Sequence, residues 1–505
     1  MEKAIDKFGR IMLLLGLMCI FLVSCSKSKE EAETEESFNE IEEGVTQFKI
    51  DEEEPLVVFY QDASLGNQMP IVLHNFILQH PEINLLIYNI NSKNLELETM
   101  ERIKQLIKQY GDPDIWLLDA ESSEMKELLD DLYDMGMIAD ISSFYAEDQA
   151  IQSEDYVGGT FEVLKNEEAL LGIPLSWSKE CLIIRDSKWK NSEWAELPKE
   201  YTGEELYRAL ISQFENGREE DELFWADESF NLLYDMYELE VLEYKNNEYF
   251  IDEKIFEMIY EFGLKQVKQD RAAEKKQSIR YDQFQGCAAL DPYVYSGNYF
   301  GCSLYEAPQI AAIYTKSMFE MIDEEVHIYY MPTFESSDQY VGRVQECAMV
   351  GGNSARKQQA YEVIRMMMDT PITMMTQPEG YVPETYSPVN VELALQMVDD
   401  FDEIDQRLSV TNRIGELLFN VEKQKLTEDE KQQLYKVISK IENLYLDDGY
   451  TEIDKIYYSY VGEYVNHNGS LNTKLCYFEL MRAMNPESEK WNMTPEEIEA
   501  FVNEE

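Results

Sequence analysis

The sequence predicts an α/β fold, a parallel sheet covered by helices, on three observations. Short apolar runs alternate three times with helical apolar faces between Leu56 and Leu132. Pro and Gly stand where those runs must turn. The chain is 44% hydrophobic and 12% aromatic, which supplies buried surface that disordered chains lack.

The elements follow in order. Leu56-Val-Val-Phe-Tyr60 is a short run of β-rich residues. In Asn67–Leu78, Met69, Val72, Leu73, Phe76 and Ile77 have helical spacing, Pro70 suits a first helical turn, and Pro81 stops the helix. Ile83–Ile90 reads as a second strand, and Leu95, Met100, Ile103, Leu106 and Ile107 as a second helical face. Gly111-Asp-Pro-Asp114 turns the chain into a third strand, Ile115–Leu118, and Met125, Leu128, Leu129 and Leu132 mark the next helix. Three βα repeats of this kind build a parallel sheet, and ligands of such sheets sit at the carboxyl ends of the strands. Those ends carry Tyr60-Gln61-Asp62 and Leu118-Asp119-Ala120. Trp116, inside an apolar strand, and Met366-Met-Met368, on a helical face, read as core.

The length of 505 residues suggests two to four structural units at about 100–200 residues per domain. Lys and Arg number 43 against 100 Asp and Glu, a formal net charge of −57. Nucleic-acid phosphates and anionic lipid surfaces both need basic surface, so neither is an expected partner. The four histidines, His74, His80, His327 and His467, form no close pair, so no metal site is predicted. No cofactor motif is present: no phosphate-cradling Gly-rich loop of Walker type occurs.

The amino terminus gives an address. Lys3, Lys7 and Arg10 precede the apolar run Ile11–Val23, which is too short to span a bilayer and reads as a secretory signal, residues 1–24. Leu22-Val-Ser-Cys25 resembles a bacterial lipobox. That resemblance implies cleavage before Cys25 and lipid attachment to its sulfur, an anchor of two acyl chains on the extracytoplasmic face of the cell membrane. Ser26–Glu54 holds twelve acidic residues, three lysines and few large apolar groups. Residues 25–54 therefore read as a disordered acidic tether. Five cysteines remain beyond it, Cys181, Cys287, Cys302, Cys347 and Cys476, with no CxxC pair. A Cys287–Cys302 disulfide and buried free thiols both remain open.

Several segments then resemble one family in order. They are Pro81-Glu-Ile-Asn-Leu, Gly111-Asp-Pro-Asp-Ile-Trp-Leu, Leu132-Tyr-Asp-Met-Gly-Met-Ile-Ala-Asp-Ile141 and Leu171-Gly-Ile-Pro174. Asn353-Ser354 with the helix of Ala360, Tyr361, Val363, Ile364 and Met367 follows, then Ser387-Pro-Val-Asn390 and Thr494-Pro-Glu-Glu-Ile-Glu-Ala. From Pro55 to Glu505 the chain resembles the family 1 extracellular solute-binding proteins of ABC importers, sugar-binding lipoproteins. The resemblance implies a periplasmic-binding-protein fold of two hinge-linked α/β lobes with a helical C-terminal region. It places 55–174 with 281–330 in lobe 1 and 175–280 with 333–505 in lobe 2, with crossings near Gly172-Ile-Pro174 and Met331-Pro332. It implies a monomer that binds a small molecule, a carbohydrate and most simply an oligosaccharide, and passes it to ABC permease subunits. ATP hydrolysis then belongs to a separate cytoplasmic subunit.

A sugar presents hydroxyls and flat apolar faces, so its receptor needs carboxylates, amides and aromatic plates. The candidate contacts are Tyr60, Gln61 and Asp119 at the strand ends, Trp177 within Ser176-Trp-Ser178, and Tyr293, Tyr295 and Tyr299 in the Gly/Pro-interrupted stretch 291–299. The last stretch lacks the family's usual Gly-x-Trp. Gly351-Gly352, before a predicted helix start at Ser354, could offer free backbone N–H groups, and Ser354 itself reads as a cap. Thr427-x-x-Glu430 and Thr494-x-x-Glu497 are capping boxes. The competing readings are a tethered sensor or adhesin with the same fold, and a glycan-active enzyme. No Gly-x-Ser-x-Gly elbow or His-Glu-x-x-His occurs, and acidic pairs such as Asp119/Glu121 are unavoidable at this composition. The expectation is a binding protein and not an enzyme.

Overall fold

The structure is a computed structural model of the full chain. It describes residues 45–48, 54–61, 71–91, 99–120, 125–166, 168–190, 193–216, 223–226, 236–245, 248–276, 299–306, 325–371, 387–403, 424–446, 473–486 and 488–503, with residues 308, 312, 316–317, 376–377, 380–381, 407–411, 417–422, 455–456 and 459–460. Cys25, Cys287, Tyr293 and Tyr295 lie outside the described residues.

The main sheet takes its strands from the whole length of the chain. They are β1 (Val45–Phe48), β2 (Leu56–Tyr60), β3 (Leu85–Asn89), β4 (Ile115–Asp119), β5 (Ile173–Arg185), β6 (Leu223–Ala226), β7 (Tyr299–Glu306), β8 (Val326–Tyr330), β9 (Tyr340–Val350), β10 (Ser387–Pro388) and β11 (Ile441–Tyr445). Their order is β1-β3-β2-β4-β9-β5-β7-β6, with β8 and β10 also on β5 and β11 on β9. The three predicted βα repeats are present: β2 pairs parallel with β3 and β4. They are followed by helices α1 (Ile71–Gln79), α2 (Thr99–Tyr110) and α3 (Met125–Asp134).

Beyond β4 the sheet departs from the all-parallel expectation. Strand β9 inserts antiparallel between β4 and β5, and β7 and β8 both pair antiparallel with β5. The acidic tether also ends earlier than expected, because Val45-Thr-Gln-Phe48 forms β1 against Leu85–Tyr88 of β3. Its branched and aromatic residues suit a strand, and an open sheet edge was available to pair with it.

Among the described residues two large hydrophobic cores form, with a small separate cluster of Val341 and Tyr445. The first collects side chains from β2–β4 and α1–α3, then Val344 to Val350 of β9, then α4 (Lys357–Met368), and on to Leu434–Leu444 in α5 (Glu428–Ser439) and β11. The second collects Trp194 to Phe262, Met331, and Cys476 to Trp491, including α6 (Thr473–Met484). This corrects the expected partition. Buried residues of β9, α4, α5 and β11, from Tyr340 to Leu444, pack in the first core rather than the second, because β9 pairs with β4 and carries its following helix to that side. Trp116 and Met367–Met368 are core, as predicted.

Strand β5 serves both cores through its period of two. Ile173, Leu175, Trp177, Cys181 and Ile183 join the first core, while Leu182 and Ile184 join the second. The positions opposite Leu175, Trp177 and Cys181 on the pleat are Ser176, Ser178 and Glu180, all buried.

Both predicted capping boxes are formed. Thr427 Oγ1 accepts from Glu430 N–H while the Glu430 side chain accepts from Thr427 N–H at 2.6 Å. The Thr494–Glu497 pair does the same for the last helix, Pro495–Asn503. At the start of β4, buried Asp114 accepts from Val57 N–H at 2.9 Å, Ser354 Oγ at 2.5 Å and the Arg356 guanidinium. Gly351 and Gly352 close the other end of β9, and their N–H groups are not free. They donate to Asp114 O at 2.8 Å and Met137 O at 2.7 Å. The backbone donors that the sequence left open are therefore taken by the chain itself. The approach is so close that a Cβ on Gly351 would stand 1.9 Å from Pro113 O.

Candidate ligand-binding site

The described polar residues that fit a ligand site gather where β4, β5 and β9 meet. The pairing of β9 with β5 is interrupted twice. Val344 faces Trp177, Glu346 faces Ser176, and Cys347 faces Pro174, so Gln345 and Leu175 are each left over in their strands. Extra residues of this kind re-aim side chains. Here they bring consecutive residues to one face: Gln345 Nε2 donates to Ser178 Oγ at 2.5 Å, and Ser176 Oγ donates to Glu346 Oε2 at 3.1 Å.

Strand β4 brings its end to the same place. Asp119 is the cross-strand partner of Glu346, and the next residue, Ala120, donates its N–H to Gln345 O at 2.8 Å. The field of the two carboxylates is registered by Cys347, buried beside them. Burial pushes its thiol well above the ordinary range, and Asp119 and Glu346 push it the same way. Cys347 therefore stays protonated at neutral pH and offers no thiolate nucleophile. Gln61, just past β2, is buried and holds its N–H on Leu117 O at 2.8 Å. Its side-chain oxygen and that of Gln345 have no hydrogen-bond partner among the described residues. Buried amide oxygens left without a donor are costly, so each is an acceptor suited to a hydroxyl or a water.

Beside this face lies a buried ion pair. Lys179 Nζ on β5 donates to Glu238, whose other oxygen accepts from Tyr445 OH at 3.2 Å. Lys179 is 0% and Glu238 1% exposed at their side chains. Burial raises the Glu238 carboxyl above its usual range, against the lowering effect of Lys179, Tyr445 and Arg343. The pair joins β5 to a segment of the second core and to the end of β11.

The sequence-predicted residues divide as follows. Asp119 stands at the strand end that the fold brings to this face; Gln61 ends the neighbouring strand, level with Leu118 and on the alternate side of the pleat. Tyr60 is 7% exposed and belongs to the first core. Trp177 is corrected from the list of candidate plates: it is 0% exposed, faces the first core, and donates its Nε1–H to Pro388 O at 2.9 Å. Its neighbours Ser176 and Ser178, on the other face, take its place. Tyr299 opens β7 opposite Leu223. Ser354 serves Asp114 and accepts from Arg356 N–H at 2.9 Å, a structural turn before α4. Glu346 and Gln345 were not singled out from sequence. Their signal would have been two adjacent polar residues inside an otherwise apolar run, Tyr340–Val350.

Among the described residues no group of three or more His, Cys, Asp or Glu is placed to hold a metal ion. Nor is any described helix long and apolar enough to cross a membrane. The described cysteines Cys181, Cys347 and Cys476 are free and buried.

No protein-family model matches the chain. No curated protein matches it either. Solved structures do. The extracellular solute-binding protein family 1 from Alicyclobacillus acidocaldarius is 11% identical, with a TM-score of 0.53 over 86% of this chain and 99% of that one. The sugar-binding protein MalE from Xanthomonas citri is 11% identical, with a TM-score of 0.51 over 86% of this chain and 97% of that one. With its mixed sheet, two cores and strand shared between them, the chain has the two-lobed fold of the periplasmic and extracellular solute-binding proteins.

Proposed function

We propose that the protein is a lipid-anchored receptor on the extracytoplasmic face of the membrane. It captures a carbohydrate, most simply an oligosaccharide, between its lobes and passes it to the permease subunits of an ABC importer. It binds and does not catalyse. The anchor is Cys25.

The observation that carries this reading is the polar face at the double interruption of β5 and β9. Carboxylates and an amide oxygen there, from Asp119, Glu346 and Gln345, accept hydrogen bonds from hydroxyls, and Ser176 and Ser178 can accept and donate; Gln61 adds an acceptor from the neighbouring strand end. A neutral sugar suits that set, whereas an anionic solute would meet two carboxylates. Tyr293, Tyr295 and Tyr299 supply the aromatic plates. Lobe closure about the shared strands is the capture step. The likeness to a sugar-binding protein in fold supports the carbohydrate assignment.

The test is a thermal-shift screen of the full chain against mono- and oligosaccharides. A ligand at 100 times its Kd stabilises by about 2.7 kcal/mol. A selective shift with the sugar recovered intact supports the receptor. A sugar that is consumed revives the enzyme. No shift with any sugar removes carbohydrate as the ligand.

A further inference from the structure

A second concavity lies on the side of the second core. It has a volume of about 980 Å³ and is formed by the helices Gly203–Asn216 and Glu253–Lys276, the turn after Glu238, and residues 333–335. Its floor is apolar. Leu239 and Val241 are buried in it, and Ile211, Met258 and Phe334 pack partly against the second core. At its edge Phe250 is 42% exposed, one of the exposed large hydrophobics of the described residues.

The rim is strongly acidic. Seven carboxylates line the concavity against two cations, Arg208 and Lys254. Arg208 is already taken by Glu204, to which its Nε and one terminal nitrogen donate at 2.9 and 2.7 Å. Glu240, Glu257, Glu261 and Glu335 all face solvent. One of them sits on unusual backbone. Glu240 has φ +53, and its N–H and that of Val241 donate to Tyr237 O and Met236 O, both at 3.0 Å. A turn of this form normally takes Gly, because a Cβ is disfavoured in the left-handed region.

We propose that this groove docks a Lys- or Arg-bearing peptide segment of a partner protein, with an apolar side chain of that segment seated on the floor beside Phe250. Charge complementarity selects the occupant: the rim offers carboxylates to several cations at once, and the floor offers aromatic and aliphatic contact between them. A free polyamine would use the rim and leave the apolar floor idle. An anionic segment would be repelled.

The test uses the full chain and a short fluorescein-labelled peptide of lysines and leucines, read by anisotropy, with a photoreactive version for cross-link mapping. Because the whole chain is acidic, location must be separated from net charge. The groove triple Glu240→Gln/Glu257→Gln/Glu261→Gln is therefore compared with a charge-matched triple of exposed acids elsewhere, Glu127→Gln/Glu147→Gln/Glu154→Gln. With each rim charge contributing about 0.5 kcal/mol, the groove triple should raise Kd about tenfold and the control triple less than about twofold. Phe250→Ser should weaken binding several-fold, and cross-links should fall within 204–261. Equal weakening by the two triples, or cross-links spread over the surface, would overturn the proposal. So would spermine binding as tightly as the peptide with no effect of Phe250→Ser, which would mark a polyamine site. Circular dichroism of each variant establishes that it is folded.

Discussion

Replacing Lys179 by Met tests the buried pair beside the site. The substitution keeps the apolar stem of the side chain and removes its ammonium group. Glu238, 1% exposed at its side chain, is then left with only Tyr445 OH at 3.2 Å as an evident donor. Breaking a buried pair from one side costs about 3–5 kcal/mol. Residues 42–505 form one compact unit. At about 2.1 cal/mol/K per residue, ~460 residues give an unfolding entropy near 1 kcal/mol/K, so the midpoint should fall by about 3–5 °C if this unit melts together. The sign of the pH dependence is fixed as well. A carboxyl whose folded pKa is raised contributes most at low pH and loses that contribution as pH rises through its folded value. Burial already raises Glu238, and loss of Lys179 raises it further. The deficit of Lys179→Met should therefore be smallest near pH 5 and grow toward pH 8. The double variant Lys179→Met/Glu238→Gln should recover most of the loss, since a neutral amide is far cheaper to bury. Melts of wild type, both singles and the double across that pH range measure all of this. A Lys179→Met midpoint within 1 °C of wild type at pH 8, or a double variant no better than the single, would refute it.

Four further outcomes are expected. Gly351→Ala should cost about 1–3 kcal/mol in urea unfolding, because its Cβ would meet Pro113 O and backbone must move. Glu240→Gly should stabilise by about 1 kcal/mol by relieving the left-handed conformation, measured by the same method. Thr427→Ala should cost about 1 kcal/mol by removing one half of the capping box. Burial would raise the Glu430 carboxyl, but hydrogen bonds from Lys316 and Thr427 hold it below the usual range. The cap's contribution is then present above the ordinary carboxylate range and lost as pH falls through the depressed value, which a pH series on Thr427→Ala reads. Glu346→Gln should weaken binding of any sugar identified in the screen by about 10–100-fold, the worth of a charged hydrogen bond, as read by calorimetry.

What the sequence revealed was local. The apolar runs before Tyr60, Asn89 and Asp119 and the helical faces between them announced β2 to β4, and Thr427 and Thr494 announced two helix starts. Periodicity within a few residues is enough for both. Pairing across hundreds of residues is not written that way. Nothing near Tyr340 shows that its strand enters between β4 and β5, and this one insertion carried β9, α4, α5 and β11 to the first core. The site suffered for the same reason. Ser176-Trp-Ser-Lys-Glu180 stands just past the first proposed crossing, and its Trp177 reads as a candidate aromatic plate. The stretch is buried strand, because its serines and charges meet partners from β9, Glu238 and Tyr445. The aromatic residue that drew attention points to the core, and the small hydroxyls beside it face the polar side. Strand Val45–Phe48 was hidden by the acidic composition around it.

The shared strand also fixes when this protein can fold. The first core takes residues from both sides of the second: Leu56 to Ile183 on one side and Tyr340 to Leu444 on the other. The second core in turn waits for Cys476 to Trp491. Synthesis of either lobe alone therefore leaves exposed apolar surface with nothing to cover it, and the chain cannot be cut into two independently stable halves. Both cores close late, over long loops of chain, which slows folding.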